Sequence, residues 1–187
     1  PRAGDRDARD AGQFGVALRW VAESLNGTEF GAFALNYHSR TPILSGIQST
    51  TPSPTSARYF LEYPEDIRLY GLSFASNIGG TAVSGEVSYR PNMPLQINGP
   101  DLLSATLGST FSPVIESGHA QSGVPGSDIH GYERKAVSQA QVTAIHFIDQ
   151  VLGASRMTLL GEVGYNHING IDNDVGSLRF GRDPLFG

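Results

Sequence analysis

The chain has 187 residues, of which 39% are hydrophobic and 17% charged, with 23 glycines, 11 prolines and no cysteine. The missing cysteine excludes disulfide bonds, thiolate metal sites and cysteine nucleophiles within these residues. The formal net charge of −5 provides no basic surface for nucleic acid, so we expect no nucleic-acid partner. No apolar run approaches the roughly 20 residues of a membrane helix.

The first hairpin is predicted over residues 12–40, after a charged loop over residues 1–11. Side chains on a strand alternate between its two faces, and Gly12–Ser24 shows this alternation clearly. One face is apolar and carries Phe14, Val16, Leu18 and Trp20. A tight turn is predicted at Leu25–Thr28, followed by a strand over Glu29–Arg40. We assign Phe33, Leu35 and Tyr37 of that strand to the same apolar face.

A second hairpin is predicted over residues 64–90, after a long Ser/Thr/Pro-rich loop over residues 41–63. Its strands are Asp66–Ser76 and Thr81–Arg90, joined by an Asn- and Gly-rich turn at 77–80. Val83, Val87 and Tyr89 lie on one face of the second strand. The long loop over residues 91–133 follows, with one helix at Asp101–Leu107 between Pro100 and Gly108.

The third hairpin is predicted over residues 134–168, from strands Lys135–Gln150 and Arg156–Ile168 and a turn at 151–155. Leu159, Val163 and Tyr165 form the apolar face of its second strand. Residues 169–187 are predicted as a loop and the start of a seventh strand, Ser177–Arg182.

Short and long connections therefore alternate, as they do in outer-membrane barrels. Aromatic residues concentrate towards both strand ends: Trp20, Phe74 and Phe147 near the short turns, and Tyr37, Tyr89 and Tyr165 near the long loops. The chain also has a single lysine, Lys135. These features predict an all-β, antiparallel up-and-down transmembrane β-barrel, with about six to seven of its strands present. The alternative is a soluble antiparallel β-sandwich.

Four segments of the chain resemble one known family: GQFGVALRW, NGTEFGAFALNYHSR, YFLEYPEDIRLYGLSF and VSGEVSYRPNMPLQING. They are similar to a proteobacterial outer-membrane family described as domain of unknown function 1302, which looks related to the long-chain fatty-acid porins. The resemblance covers most of residues 12–99 and continues more faintly through 145–168. It implies an outer-membrane location and a segment of a larger barrel, and it carries no catalytic signature.

Polar residues opposite the apolar faces are the candidate lumen-lining and ligand-binding groups. They are Arg19, Asn36, His38, Arg40, Glu86, Arg90, Glu162 and Asn166. Taken singly, each is better explained as part of a structural ion pair inside a barrel. A second candidate is apolar: Leu102, Leu103, Leu107 and Phe111 lie in the longest loop. They cap a hydrophobic pocket or pack against a neighbouring loop.

These observations together predict a passive outer-membrane channel or transporter for hydrophobic molecules such as fatty acids. The alternatives are a non-catalytic envelope scaffold, a barrel subunit of a larger export complex, and a soluble β-sandwich binding module. We expect membrane lipids, a hydrophobic ligand and envelope transport proteins as partners. We expect no enzymatic activity, no cofactor and no metal site.

Overall fold

The computed structural model describes residues 1–50, 54–120, 124–172 and 174–181. The strands are β1 (Phe14–Ala22), β2 (Thr28–Tyr37), β3 (Ile43–Ile47), β4 (Arg58–Glu62), β5 (Ile67–Ile78), β6 (Thr81–Gln96), β7 (Asp128–Ile129), β8 (Tyr132–Val151) and β9 (Ala154–Ile168). The α-helices are α1 (Gly99–Thr106) and α2 (Pro113–Glu116). None of the helices in these ranges is long and apolar enough to span a membrane.

Six strands form one antiparallel sheet in the order β1-β2-β5-β6-β8-β9. Each of the three predicted hairpins supplies two neighbouring strands, so the prediction of an antiparallel all-β chain is confirmed. In the described part of the chain the sheet is open, with β1 and β9 at its edges, and no closed barrel is found.

The three hairpin turns lie at one end of this sheet, and the two long connections lie at the other. Gly79 and Gly80 form the β5–β6 turn with φ angles of 58° and 83°, a left-handed conformation that glycine adopts without steric cost. Leu152 and Gly153 form the β8–β9 turn in the same way, with φ of 53° and 81°. The β1–β2 turn is longer and contains a 3-10 turn at Glu23–Leu25.

The strand register defines two faces, because directly paired residues in an antiparallel sheet point the same way. One row across all six strands consists of Trp20, Phe30, Phe74, Gly85, Val142 and Val163. We call the side that carries this row the apolar face. The adjacent row on the other side consists of Arg19, Gly31, Ser73, Glu86, Gln141 and Gly164. We call that side the polar face.

The assignment of Phe33, Leu35 and Tyr37 to the apolar face is wrong. The closing pair of the first hairpin is Ala22 with Thr28, and this register places odd-numbered β2 residues beside Arg19. Glycines on the polar face make room for the large side chains: the Phe33 ring covers Gly71 and Leu35 covers Gly15. An aromatic ring over a cross-strand glycine is a known way of stabilising a sheet.

Two of the six aromatic residues assigned to the strand ends also belong to the polar face. Tyr37, like Phe33, is an odd-numbered residue of β2 and is therefore on the polar face. Phe147 pairs with Thr158, which is on the same side of the sheet as Arg156. The Arg156 guanidinium lies 5.3 Å from the centre of the Phe147 ring. The remaining four, Trp20, Phe74, Tyr89 and Tyr165, are on the apolar face.

The two long connections fold together into a second layer, which we call the cap and define as β3, β4, β7, α1 and α2. β3 pairs with both β4 and β7 in a small antiparallel sheet. The apolar core of the cap is formed by Ile97, Leu102, Ala105, Val114 and Ile129, all at most 3% exposed. The N-terminal segment runs beside β4 through bridges at Arg2 and Arg6.

Three further details differ from the sequence-based expectation. β6 continues through Pro91 and Pro94 to Gln96, and a bulge between Arg90 and Met93 accommodates Pro91, which has no N–H to donate. In place of a seventh strand, Phe180 forms a single bridge to Ile97, and Arg182 lies outside the described residues. Helix α1 forms where expected, whereas α2 was not predicted.

Candidate functional site

Five of the predicted lumen-lining residues share the polar face, although Arg19 is on the edge strand β1 and Glu162 and Asn166 are on the opposite edge strand β9; Glu86 and Arg90 are on β6 between them. Their partners are residues of neighbouring strands. Arg19 lies 3.6 Å from the Glu29 carboxylate, Thr143 donates a hydrogen bond of 3.1 Å to Glu162, and Arg90 donates to Gln139. The polar face therefore carries short cross-strand polar contacts.

Asn36, His38 and Arg40 are placed elsewhere, and their assignment to the polar face is wrong. Asn36, near the end of β2, is an even-numbered residue and is therefore on the apolar face. Its side-chain amide donates a hydrogen bond of 2.9 Å to the Asp66 carboxylate. His38 follows the strand and is only 3% exposed. Arg40 is exposed in the connection beyond β2. β2 ends at Tyr37, so strand alternation does not determine where the side chains of His38 and Arg40 point.

The His38 ring and Asp66 join the sheet to the cap. The backbone N–H of Asp66 donates to His38 Nδ1 at 3.0 Å, so the other ring nitrogen donates to the Ala11 carbonyl at 2.9 Å. Asp66 itself has a φ of 55°. Hydrogen bonds from Arg9 and Asn36 lower the pKa of the Asp66 carboxyl below 3.8. These hydrogen bonds hold the junction together.

An apolar cleft of about 370 Å³ lies between α1 and the β3–β4 pair. Its lining is Pro1, Leu44, Ser45, Gly46, Ala57, Arg58, Tyr59, Gly99, Leu102, Leu103, Thr106 and Leu107. Three of the four predicted loop residues, Leu102, Leu103 and Leu107, are among them. Leu102 is buried, whereas Leu103 and Leu107 are 58% and 42% exposed. Phe111 does not line the cleft and is 85% exposed.

The floor of the cleft is formed by direct contact between α1 and the backbone of β3. A Cβ atom at Gly46 would overlap the hydroxyl of Thr106, so only glycine permits this approach. The Thr106 hydroxyl donates to the Leu102 carbonyl at 2.7 Å, and Ser45 donates to Glu62. The Thr106 hydroxyl is thus already hydrogen-bonded, and Ser45 lies with Glu62 on the other face of the β3–β4 pair.

Arg58 borders this cleft, but its side chain is on the opposite face of the β3–β4 pair, because Arg58 pairs with Ile47, whereas Gly46, which faces α1, pairs with Tyr59. Arg58 is exposed, and its guanidinium has no hydrogen bond or ion pair with any residue that the structure describes. Leu44 and Tyr59, which flank it in the lining, are 38% and 46% exposed. The side chains that face α1 from the β3–β4 pair, Leu44 and Tyr59 among them, are therefore uncharged.

Behind the cleft, Glu62 binds both Ser45 and His130. His130 Nδ1 lies 3.0 Å from the Glu62 carboxylate, which is 7% exposed, and Gly131 donates its N–H to Ser45 Oγ at 2.7 Å. Burial opposes ionisation of Glu62, but hydrogen bonds from His130 and Ser45 outweigh it and lower its pKa below 4.5. The hydrogen bond to Glu62 in turn raises the pKa of His130 above 6.5.

This cluster contains a serine, a histidine and a carboxylate but lacks the geometry of a hydrolase. A nucleophilic serine must donate to the histidine that activates it. Ser45 is fully buried and donates to Glu62 instead. The cluster therefore holds β3, β4 and the segment after β7 together.

Another cleft, of about 370 Å³, is polar and includes His119, Glu133 and Lys135. His119 lies 3.0 Å from Glu133 and also contacts the His130 carbonyl at 2.8 Å. Within the described ranges, no group of three or more His, Asp or Glu residues is arranged to hold a metal ion.

The sequence did not reveal that Glu62 and His130 form a pair. They belong to β4 and to the segment after β7, which are brought together by pairing of β3 with residues that are distant in sequence. Neither the five-residue β4 nor the two-residue β7 is long enough to show a clear alternation.

The model of a protein family of unknown function, DUF1302, matches residues 1–183. The chain belongs to the DUF1302 family. This confirms the family inferred from the sequence segments, and the match spans both the six-stranded sheet and the cap. No curated protein and no solved structure matches the DUF1302 chain.

Proposed function

We propose that the six-stranded sheet is a segment of the wall of an outer-membrane channel or transporter that passes hydrophobic molecules by diffusion. The observation that carries this proposal is the separation of charge between the two faces. Between the β6 bulge and the hairpin turns, all formally charged side chains of the sheet except one are on the polar face: Arg19, Glu29, Glu86, Arg90, Asp149, Arg156 and Glu162. The exception, Arg68, lies at the long-loop end.

Along β8, the uncharged part of the apolar face is about as tall as the apolar band of a membrane. Alternate positions of β8 from Ser138 to Ile148 carry no Asp, Glu, Lys or Arg. At about 3.4 Å per residue and a tilt of about 40°, a strand segment of this length traverses an apolar band about 25 Å tall. Side chains on this band are exposed, including Leu72 at 63% and Val163 at 75%. A soluble sheet would bury such a surface or interrupt it with charge.

Two further features support transport of hydrophobic molecules. On the central strands β6 and β8, the polar face carries hydroxyl and amide side chains beside its charges: Ser84, Ser88, Gln139, Gln141 and Thr143. The apolar cleft of the cap lies at the long-loop end, where a ligand from outside would first meet the protein. No transport step in this proposal requires a cofactor.

Uptake of a radiolabelled long-chain fatty acid tests the proposal in a strain that lacks the gene. We expect deletion to reduce uptake and the intact gene to restore it. Gln141→Trp narrows the polar face and should restore less uptake, although the protein assembles normally. Val142→Trp, the next residue but on the apolar face, is the matched control and should restore uptake fully. Equal uptake with and without the gene would refute the transport proposal.

A further inference from the structure

The cap contacts the sheet from the side of the polar face. The bulge near the cap is on β6, so alternation along β8 is unbroken and places Lys135 and Glu133 on the polar face, like Val137. The Glu133 carboxylate lies 3.0 Å from His119, which follows α2 of the cap. The Lys135 ammonium lies 5.6 Å from the centre of the Phe180 ring, which packs against the apolar core of the cap. Two polar-face side chains at the start of β8 therefore reach the cap.

Burial differs between the two faces at this end of the sheet. On the polar face, Ile67, Leu69 and Val137 are 1%, 8% and 6% exposed. On the apolar face, Tyr70 and Tyr89 are 47% and 42% exposed. The long-loop end is therefore covered on its polar side and open on its apolar side.

The cap is connected to the sheet by a narrow ribbon. The pairing of β6 with β5 ends at Tyr89 and that of β8 with β9 at Val137. Residues 93–96 and 132–135 then continue beyond the sheet as a two-stranded ribbon that starts at the β6 bulge. A bulge bends the strand that contains it. The ribbon is therefore free to leave the direction of the wall and carry the cap over one face.

The contact between the cap and the polar face is polar, whereas the interior of the cap is apolar. The cap has its own buried core around Ile97 and Val114. Between the cap and β8 lies the polar cleft of about 370 Å³ that includes His119, Glu133 and Lys135. A partly exposed ion pair and a cation–π contact are each weak interactions. The cap therefore holds together more firmly than it holds to the polar face.

We propose that the cap is a lid over the mouth of the lumen, seated on the wall by the contacts of Glu133 with His119 and of Lys135 with Phe180. This inference rests on the proposed function, because the polar face is the lumen side of the proposed wall. With both contacts made, the lid covers the long-loop end of the lumen. When they break, the cap moves on the ribbon beyond the β6 bulge and the mouth opens.

A covalent bridge across the seat tests whether the lid must open. The sequence has no native cysteine, so His119→Cys/Glu133→Cys introduces two thiols that a short bis-methanethiosulfonate reagent joins on whole cells. We expect the bridge to abolish the fatty-acid uptake that this variant restores to the deletion strain, and a reducing agent to recover it. Asp149→Cys/Arg156→Cys is the matched control, because this ion pair is on the same face at the hairpin-turn end. A bridge there should leave uptake unchanged.

Pulsed electron paramagnetic resonance measures the movement of the lid without reference to transport. One nitroxide replaces Phe111, which is 85% exposed between α1 and α2, and the other replaces Ser84 on the polar face. In lipid vesicles we expect a shorter and a longer distance between them. Glu133→Gln should raise the ratio of the longer to the shorter distance about threefold to fivefold, the scale of one exposed ion pair. Glu23→Gln, in the exposed β1–β2 turn, is the matched control and should not change the ratio.

Three results would overturn the lid. They are failure of the two thiols to bridge, a bridge that leaves uptake intact, and a single distance in both the wild-type and the Glu133→Gln protein. The distance measurement also separates the lid from the proposed function. Two distances in a protein whose deletion leaves fatty-acid uptake unchanged would support the lid and refute only the proposed function.

Discussion

Individual residues show how closely packed this sheet is despite its many glycines. Gly71 lies directly opposite Phe33, and a Cβ atom there would overlap the aromatic ring. Gly85 is similar on the other face, where a Cβ atom would lie 2.6 Å from the Phe74 ring. Gly164 differs, because nothing lies within 4 Å of the position of its Cβ atom. Glycine is thus required at some strand positions and only tolerated at others.

Gly71→Val should therefore destabilise the protein and Gly164→Val should not, although both residues are on the polar face. We expect a loss of about 1–3 kcal/mol for Gly71→Val, because the Phe33 ring must leave its position. For Gly164→Val we expect a change within about 0.5 kcal/mol. Urea unfolding in detergent measures both free energies. Equal values for the two variants would show that the Phe33–Gly71 contact does not matter.

The contact of Glu62 with His130 makes the stability of the cap depend on pH. The pKa of Glu62 is lowered in the folded protein, so the ionised carboxylate stabilises the cap above pH 4.5. This stabilisation is lost as pH falls through the lowered pKa. The pKa of His130 is raised in the folded protein, so the protonated ring stabilises the cap fully below pH 6.5. This stabilisation is lost as pH rises through the raised pKa. Protection of the Gly131 amide, corrected for intrinsic exchange, should be greatest between these limits.

Glu62→Gln should remove most of this pH dependence and destabilise the cap by about 1 kcal/mol, since His130 is half-exposed. Hydrogen exchange of the segment around Gly131 reports the change. Glu23→Gln is the matched control, because Glu23 is exposed in the β1–β2 turn. If Glu62→Gln retained the wild-type pH profile, the pair would not be the origin of the dependence.

At the scale of the elements, the sequence predicted the three hairpins correctly but assigned the large apolar residues of β2 to the wrong face. Alternation and the Asn/Gly turn residues locate all six strands of the main sheet to within a few residues, apart from the cap-side extension of β6. The face of β2 depends on whether its turn contains an odd or even number of residues. The sequence alone does not determine that number, because Phe33, Leu35 and Tyr37 form an apolar row whichever face of the sheet they are on.

The cap could not be predicted from local patterns. β3 and β4 lie in a segment rich in Ser, Thr and Pro, and β3 also pairs with β7 from a connection about 80 residues later in the chain. The helix α1 was visible because Pro100 and Gly108 mark its ends. The residues that form the cleft with it were not, because no local signal connects Leu103 with Tyr59.

A charge at the centre of the apolar face tests the proposed role of the sheet as a membrane wall. Val142→Arg should destabilise the assembled protein by about 2–4 kcal/mol, the cost of an arginine at the bilayer midplane. Gln141→Arg is the matched control, since Gln141 lies beside Glu86 on the polar face. Urea titration of the protein folded in lipid vesicles measures the two values. Equal stability of both variants would contradict the assigned faces.

At the scale of the whole molecule, a two-faced sheet carries a compact cap at one end. The cap has its own apolar core around Ile97 and Val114 and is joined to the sheet by the Asp66 junction. Within the described chain, β1 and β9 leave the sheet open at both edges. Unpaired strand edges are costly in lipid, so the proposed wall requires further strands to pair with these edges.

The most direct test of the central claim is a nitroxide scan along β8, from Ser138 to Ile148, in lipid vesicles. The sequence contains no native cysteine, so each single-cysteine variant carries one label. We predict that even-numbered positions, on the apolar face, are accessible to oxygen and shielded from a water-soluble nickel complex, and that odd-numbered positions show the reverse. Accessibility to nickel at both parities, or an alternation of the opposite phase, would contradict a lipid-facing apolar face.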